Sequence, residues 1–312
     1  MPCGSRVLQL TPDMGSHIVL PQVEAIRVLE GGRGHYMGLA SGRRTPLPRA
    51  VVGGWVSVSD LRPSTIAHEL GHNMSLGHAP CGGAPGPDPS FPHPDGSVGN
   101  WGYDFAKRRL VRPHRPDLMG YCDKPWISDY HFTQALRHRL RNEGASAAAL
   151  AADPVKSLLL WGGVDTTETP FLNPAFVADA SPVLPDSAGD YTVTGRDASD
   201  RELFSLNFAM PMAVSEQEAA ISFFVFALPM RANWAEVLTS VTLSGPEGTA
   251  TLDADSDLPM TILRDPRTGR VRGILRDPPL ETGVAADAVG TGAPGLDVLF
   301  SRGIPGAAAW RR

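Results

Sequence analysis

The spacing of apolar residues changes about halfway along this chain of 312 residues. In the first half, apolar positions recur every three to four residues in residues 21–29 and 129–142, which is the period of an amphipathic helix. In the second segment Phe132, Leu136 and Leu140 share one face, and we expect that face to pack against a core. Both segments are therefore predicted to be helices.

Residues 36–40 and 50–58 are short apolar and β-branched runs, and we predict that they are strands. The second run leads into Pro63-Ser64, which can start a further helix because proline suits the first helical position. The first half of the chain is thus expected to mix helices and strands.

Beyond Pro154 the apolar residues alternate with polar ones, which is the period of a half-buried strand. Turn-forming segments rich in glycine and proline separate the runs, and this pattern is typical of an antiparallel β-sandwich. The predicted strands are residues 157–161, 191–194, 203–208, 221–228, 237–244, 260–263, 271–275 and 296–300. We therefore expect an α+β protein with a first domain over 1–144, an alanine-rich linker over 145–154 and a sandwich domain over 155–312.

Composition agrees with two globular domains and excludes some classes of partner. The chain is 42% hydrophobic and has a formal net charge of -5, with 33 glycines and 29 prolines that indicate many turns. No basic cluster suggests nucleic acid, and no apolar run reaches the length of a membrane span. We expect a monomer.

The segment from His68 to His78 contains residues that suit a catalytic metal. His68 and His72 lie four residues apart and share a face of the helix that Pro63 starts, and His78 follows after room for a turn. Three protein ligands that leave one position for water are typical of catalytic zinc. Glu69 follows the first ligand and can act as a base on that water without binding the metal. We therefore predict Zn²⁺ as the cofactor.

These residues resemble the long zinc motif of the metzincin metalloproteases, His-Glu-x-x-His-x-x-Gly-x-x-His followed by a methionine turn. Ser75 stands at the glycine position, where a left-handed conformation would cost a serine about 1–2 kcal/mol, and Gly77 is the alternative residue for part of the bend. The resemblance implies that Met119 forms the methionine turn beneath the zinc. It also implies that Tyr121 reaches toward the metal and aids catalysis, as in astacins and serralysins.

Residues 100–104, Asn-Trp-Gly-Tyr-Asp, are similar to a segment of the secreted mucin-degrading metzincins. The resemblance to metzincins covers roughly residues 20–142. It implies that an edge strand ahead of the zinc helix binds the substrate backbone, and residues 51–56 are the candidate for that strand.

The resemblance also brings two cysteines together, because Cys81 follows His78 and Cys122 follows Met119 at the same distance. If both elements pack under the zinc, a disulfide forms and would stabilise the fold by about 2–4 kcal/mol. The alternative is a pair of buried thiols. Cys3 is left without a predicted partner.

The chain has 67 residues before His68, fewer than metzincin domains usually have, and no charged segment followed by an apolar core marks a signal peptide. One explanation is a misplaced gene start, and the other is that the chain has lost a leader and a first strand. We expect the second, and a secreted, extracellular protein.

Two other groups of polar residues resemble metal sites but fit poorly. His93 and Asp95 lie in a loop rich in glycine and proline, where no ligand spacing recurs. Asp253, Asp255 and Asp257 alternate like the start of a calcium loop, but other residues fill the positions of the required glycine and glutamate. Solvated loops are favoured for both.

The sequence thus predicts a zinc-dependent endopeptidase that cleaves extracellular proteins or glycoproteins. One alternative is a surface- or glycan-binding protein whose protease domain is an inactive remnant. A zinc hydrolase that acts on a bond other than a peptide is a further alternative.

Overall fold

The structure, a computed structural model, describes residues 15–32, 34–40, 48–149, 153–215, 220–231, 234–276, 295–306 and 309. Cys3 and residues 150–152 of the predicted linker lie outside these ranges. The helices and strands, in chain order, are α1 Ser16–Leu29, β1 Tyr36–Leu39, β2 Arg49–Val51, β3 Val56–Ser59, α2 Pro63–Asn73, β4 Gly102–Asp104, β5 Arg109–Val111, α3 Asp129–Ala149, β6 Val155–Val164, β7 Pro170–Leu172, β8 Phe176–Ala180, β9 Tyr191–Asp197, β10 Glu202–Phe208, β11 Met212–Ser215, β12 Ile221–Pro229, α4 Trp234–Val237, β13 Leu238–Gly245, β14 Gly248–Asp253, β15 Met260–Arg264, β16 Val271–Arg276 and β17 Asp297–Ser301.

The contacts divide the chain into two compact units, and the protein is of the mixed α+β class. The first, here called the histidine unit, comprises residues 33–150 and 213–220. The second, here called the β-rich unit, comprises residues 1–32, 151–212 and 221–312. This grouping assigns α1 to the β-rich unit, whereas the sequence analysis assigned it to the first domain. The predicted domain boundaries stay a prediction.

In the histidine unit, four strands support the helix that carries the candidate ligands. The strand order is β1-β3-β2-β11, with β1 and β3 parallel and the other pairs antiparallel. Helix α2 packs against β2 and β3. Asn73, at the end of α2, donates hydrogen bonds to the carbonyls of Val51 and Val56, 2.9 and 2.8 Å away. The helix end is thereby tied to both strands.

Residues 50–58, predicted as one strand, form a hairpin. The chain turns at residues 52–55, where Gly53 has φ of 70°, and β2 and β3 pair antiparallel on either side. Strand β2 has neighbours on both sides, so residues 51–56 are not the edge strand that the sequence analysis suggested. That interpretation was wrong because two glycines permit a tight turn as readily as a close approach.

The β-rich unit contains two groups of antiparallel strands that share one apolar core. In one group β12 pairs with β6, which also pairs with β7 and β8, and in the other the order is β10-β9-β13-β14. Buried side chains from both groups form a single cluster, including Leu158, Phe224, Val241 and Leu252. Strands β15, β16 and β17 form a separate sheet. The predicted sandwich remains a prediction, while all eight predicted strands are present.

Short elements and one helix face were not anticipated. The elements that were missed are β4, β5, β7, β8, β11, β14 and α4. Helix α1 begins at Ser16, so that Pro21 lies inside the helix rather than at its start. The predicted inner face of α3 was wrong, because Phe132, Leu136 and Leu140 are 57%, 47% and 70% exposed. The buried face of α3 instead carries His131 and His138. Among the described residues, no helix is long and apolar enough to cross a membrane.

Candidate metal centre

Helix α2 carries the first two candidate ligands on its buried face. Pro63 occupies the start of the helix, where its missing N–H is not needed, and the helix ends at Asn73. His68 and His72, one turn apart, are both buried, with ring centroids 4.7 Å from each other. The predicted spacing of these ligands is therefore present in the fold.

The chain leaves α2 through a tight left-handed bend at Ser75, which has φ of 64°. The Leu76 N–H donates to the Gly71 carbonyl at 3.0 Å, and the Ser75 N–H donates to the His72 carbonyl at 2.9 Å. These two bonds define a Schellman motif, in which glycine usually occupies the left-handed position. The serine takes this position itself, and Gly77 has no positive φ.

His78 follows the bend and brings a third imidazole to the same point. Its ligand atom and those of His68 and His72 all lie within 4.8 Å of one another. Among the described residues this is the group of histidine, cysteine and acidic side chains that could hold a metal ion. His93, Asp95 and the aspartates of residues 253–257 do not join it.

A backbone carbonyl orients each of the three rings. The Nδ1 atoms of His68, His72 and His78 lie 2.9, 3.0 and 2.6 Å from the carbonyl oxygens of Leu118, Leu76 and Pro85, respectively. A carbonyl only accepts hydrogen bonds, so each Nδ1 carries the hydrogen and each neutral ring keeps a lone pair on Nε2. Fixing the tautomer in this way is typical of histidines that bind metals.

Burial keeps these imidazoles neutral. It lowers the pKa of His68 from 6.5 to about 4, and burial together with the two neighbouring histidines lowers that of His72 to about 3. Burial also lowers the pKa of His78. At neutral pH the three rings therefore offer unprotonated nitrogens, which is the form that a metal binds.

The arrangement of the nitrogens fits zinc. Nε2 of His72 lies 3.1 Å from Nε2 of His78, so two lone pairs face each other, and a cation between them would replace this repulsion with attraction. A tetrahedral zinc ion with Zn–N distances of about 2.0–2.1 Å separates two ligand nitrogens by about 3.3 Å. The geometry and the donor set of the residues are both suitable.

Met119 lies in a turn that the Gly120 N–H closes by donating to the Asp117 carbonyl at 3.1 Å, and this segment is here called the methionine turn. The Met119 side chain is fully buried in a cluster with Leu76 and Ala79. A Cβ on Gly71 would lie only 2.5 Å from the Met119 sulfur, so the helix can approach the turn closely because that residue is glycine. The carbonyl that orients His68 belongs to the preceding residue of the same turn.

A buried pair of side chains, Asp117 and His131, holds the methionine turn, and no role was predicted for it. His131 Nδ1 lies 2.7 Å from Asp117 Oδ1, and both side chains are fully buried. Asp117 also accepts from the N–H groups of Met119 and Ser128, at 2.7 and 2.8 Å. Burial alone raises the pKa of Asp117, but these hydrogen bonds outweigh it and leave the pKa lowered. An aspartate two residues before the turn methionine was the available signal, since aspartate often closes such turns.

The two candidate catalytic side chains lie at the site in different ways. The Tyr121 hydroxyl is 3.3 Å from Nε2 of His78, and its ring centroid is 5.7 Å from that of His68. Glu69 is buried on α2 directly after His68. Tyr121 therefore contacts a candidate ligand, while Glu69 adjoins one along the helix.

The predicted disulfide between Cys81 and Cys122 is confirmed, with a Cα–Cα distance of 5.7 Å. Backbone hydrogen bonds join the same two segments, because the Ala79 N–H donates to the Met119 carbonyl at 3.0 Å and the Tyr121 N–H to the Cys81 carbonyl at 2.9 Å. The segment after His78 is thus fixed to the methionine turn covalently and by hydrogen bonds.

The comparisons with known proteins concern this same part of the chain. Residues 52–128, which contain the three histidines and the methionine turn, are similar to a family of metallopeptidases. The matching family model is described as Peptidase M66. No curated protein and no solved structure matches the chain.

Proposed function

We propose that the protein is a zinc-dependent endopeptidase with a metzincin-like catalytic unit. The observation that carries the proposal is the convergence of three neutral imidazole Nε2 atoms, each oriented by a carbonyl on Nδ1. The similarity of residues 52–128 to Peptidase M66 supports peptide hydrolysis rather than another zinc-dependent reaction.

His68, His72 and His78 would hold the zinc ion. When bound, zinc supplies a Lewis acid that makes water nucleophilic near neutral pH and polarises a peptide carbonyl. Neutral ligands suit this chemistry, because they leave most of the metal's positive charge uncompensated.

Glu69 is the proposed general base. It follows a candidate ligand on the same helix and is buried, and a carboxylate in that position would take the proton of the attacking water and pass it to the leaving amine. General acid–base catalysis of this kind contributes roughly 10²–10⁴-fold to a rate.

Tyr121 is the proposed donor to the oxyanion that develops on the substrate carbonyl. Its hydroxyl contacts the lone pair of His78 Nε2, for which a bound metal would compete. A donor of this kind contributes about 3 kcal/mol to stabilisation of the transition state when its geometry is suitable.

We further propose that the enzyme acts outside the cell on proteins or glycoproteins. The Cys81–Cys122 disulfide supports this, because disulfides persist in oxidising compartments. We also propose that the β-rich unit is a β-sandwich and serves as an accessory domain. The antiparallel strands that enclose one apolar core support this proposal. All candidate ligands and catalytic residues lie in the histidine unit.

The test combines zinc analysis with three variants of the full chain. The parent should contain about one zinc per chain and hydrolyse casein or gelatin. His72→Ala should lose the metal, whereas Glu69→Gln should keep it and lose roughly 10²–10⁴-fold in rate. Glu202→Gln, an exposed glutamate of the β-rich unit, is the matched control and should behave as the parent.

Two results would contradict the proposal. A parent that takes up no zinc would favour the alternative of a binding protein with a remnant protease domain. A parent that binds zinc but cleaves only non-peptide substrates would favour a different zinc hydrolase.

A further inference from the structure

Two neighbouring side chains of α3 contact the carboxylates of two aspartates, Asp88 and Asp117, in loops beside the metal centre. We propose that Tyr130 and His131 are positioning residues, and that they fix the orientations of His78 and His68 through two aspartates. The inference rests on the proposed function, because it concerns how the zinc ligands are held.

The first connection runs from Tyr130 to His78. The Tyr130 hydroxyl donates to Asp88 Oδ2 at 2.7 Å, and the Asp88 N–H donates to the His78 carbonyl at 2.8 Å. His78 also forms a parallel bridge with Pro87, and its Nδ1 lies 2.6 Å from the Pro85 carbonyl. The loop that orients the third ligand is therefore attached to α3 through Asp88.

The second connection runs from His131 to His68. His131 Nδ1 donates to Asp117 Oδ1, which also accepts from the Met119 N–H. Leu118 lies between Asp117 and Met119 in sequence, and its carbonyl oxygen, 2.9 Å from His68 Nδ1, orients that ring. Because Asp117 and His131 are fully buried, water cannot replace either partner, and loss of the hydrogen bond would leave a buried carboxylate underbonded.

Both connections begin in the first turn of α3, which starts at Asp129. The two aspartates belong to loops far apart in sequence, and one helical turn fixes the position of both. Groups that orient metal ligands in this indirect way typically change metal affinity by about 10–100-fold when they are removed. If Tyr130 and His131 only stabilised these loops, their removal would lower thermal stability without changing the geometry of the ligands.

The first experiment compares two tyrosine variants of the full chain. Tyr130→Phe removes the hydroxyl that holds Asp88, and Tyr191→Phe removes a hydroxyl that donates to Glu247 at 2.8 Å in the β-rich unit. Affinity for Zn²⁺ is measured by competition with a chromogenic chelator. Tyr130→Phe should bind zinc about 10-fold or more weakly, whereas Tyr191→Phe should match the parent.

The second experiment compares two variants at His131. His131→Ala removes the donor to Asp117, and His131→Asn offers an amide N–H close to the position of Nδ1. The absorption bands of bound Co²⁺ report the geometry of the ligands. His131→Ala should bind Zn²⁺ about 10–100-fold more weakly and alter the Co²⁺ bands, and His131→Asn should recover most of both properties.

The outcomes separate this inference from the proposed function. A parent that binds neither Zn²⁺ nor Co²⁺ would contradict both. A parent that binds zinc, with folded variants that keep its affinity and Co²⁺ spectrum, would overturn the inference and leave the proposed function intact. If circular dichroism shows that His131→Ala does not fold, the other two variants decide the question. Zinc binding by Tyr130→Phe that equals that of the parent overturns the inference. A folded His131→Asn that binds zinc weakly also overturns it.

Discussion

The left-handed serine that ends α2 offers a direct test of how this bend is held. Ser75 has φ of 64° and is exposed, and it closes the Schellman motif from which the Leu76 carbonyl orients His72. Replacing it with glycine should relieve the backbone strain while the hydrogen bonds of the motif stay in place. Ser75→Gly is therefore expected to stabilise the histidine unit.

The expected size follows from two opposing terms. A non-glycine residue in this conformation costs about 1–2 kcal/mol, whereas glycine loses about 0.5–1 kcal/mol more backbone entropy on folding. The Ser75 hydroxyl lies 3.4 Å from His138 Nδ1, which is too long for a strong hydrogen bond. Ser75→Gly should thus raise the free energy of unfolding by about 0.5–1 kcal/mol.

Two further variants isolate the strain. Ser64→Gly makes the same substitution at an exposed position inside α2, where φ is helical, and it should destabilise by about 0.5–1 kcal/mol. Because both glycine variants carry the same entropic cost, their difference measures the strain and should be about 1–2 kcal/mol. Ser75→Ala keeps the strain and removes only the hydroxyl, so it measures the contact with His138.

The assay is urea unfolding of the full chain after zinc is removed by chelation, because a bound metal would add its own stabilisation. Hydrogen exchange in peptides from residues 63–79 then reports the stability of the histidine unit separately from that of the β-rich unit. If Ser75→Gly is destabilised as much as Ser64→Gly, the bend is not strained and this reasoning fails.

Three other substitutions or conditions have defined outcomes. Tyr121→Phe should keep parental zinc content and lower kcat roughly 10²-fold or more, and an unchanged kcat would remove the tyrosine from the mechanism. In the folded protein the pKa values of His68 and His72 are about 4 and 3, below the ordinary 6.5. As the pH falls, these histidines therefore take up protons in the unfolded chain before they do so in the folded one. Metal-free protein should therefore keep its full stability above about pH 6.5 and lose it as the pH falls from there toward about 3, which an acid titration of urea midpoints would check. Gly71→Ala places a Cβ 2.5 Å from the Met119 sulfur and should cost about 1–3 kcal/mol in urea unfolding despite alanine's higher helix propensity; a more stable variant would show that the turn can move away.

The group of three histidines could be predicted because its geometry is local. His68 and His72 are one helical turn apart in any α-helix, and a short connection to His78 needs only a bend. The period-two strands were predictable for the same reason, since alternation follows directly from the geometry of a strand. The disulfide required the further assumption that two turns meet beneath a metal, and the fold brings Cys81 and Cys122 together.

The errors arose where a distant segment decides the environment of a residue. The apolar face of α3 was predicted to be buried, but the helix buries His131 because Asp117, from the methionine turn, is its partner. Nothing within the helix sequence indicates that partner. The hairpin at residues 49–59 was missed because Gly53 and Gly54 were included in one predicted strand, whereas they lie in the turn between two strands.

The orientation of all three imidazoles by main-chain carbonyls has a consequence for how such a site can vary in evolution. Every amino acid has a carbonyl, so the side chains at positions 76, 85 and 118 can change without removing the acceptor that each ring needs. Selection on ligand orientation therefore acts on the path of the backbone rather than on residue identity at these positions. A search for a recurrent acidic or amide side chain next to each histidine would overlook these acceptors, whereas a comparison of carbonyl directions would find them.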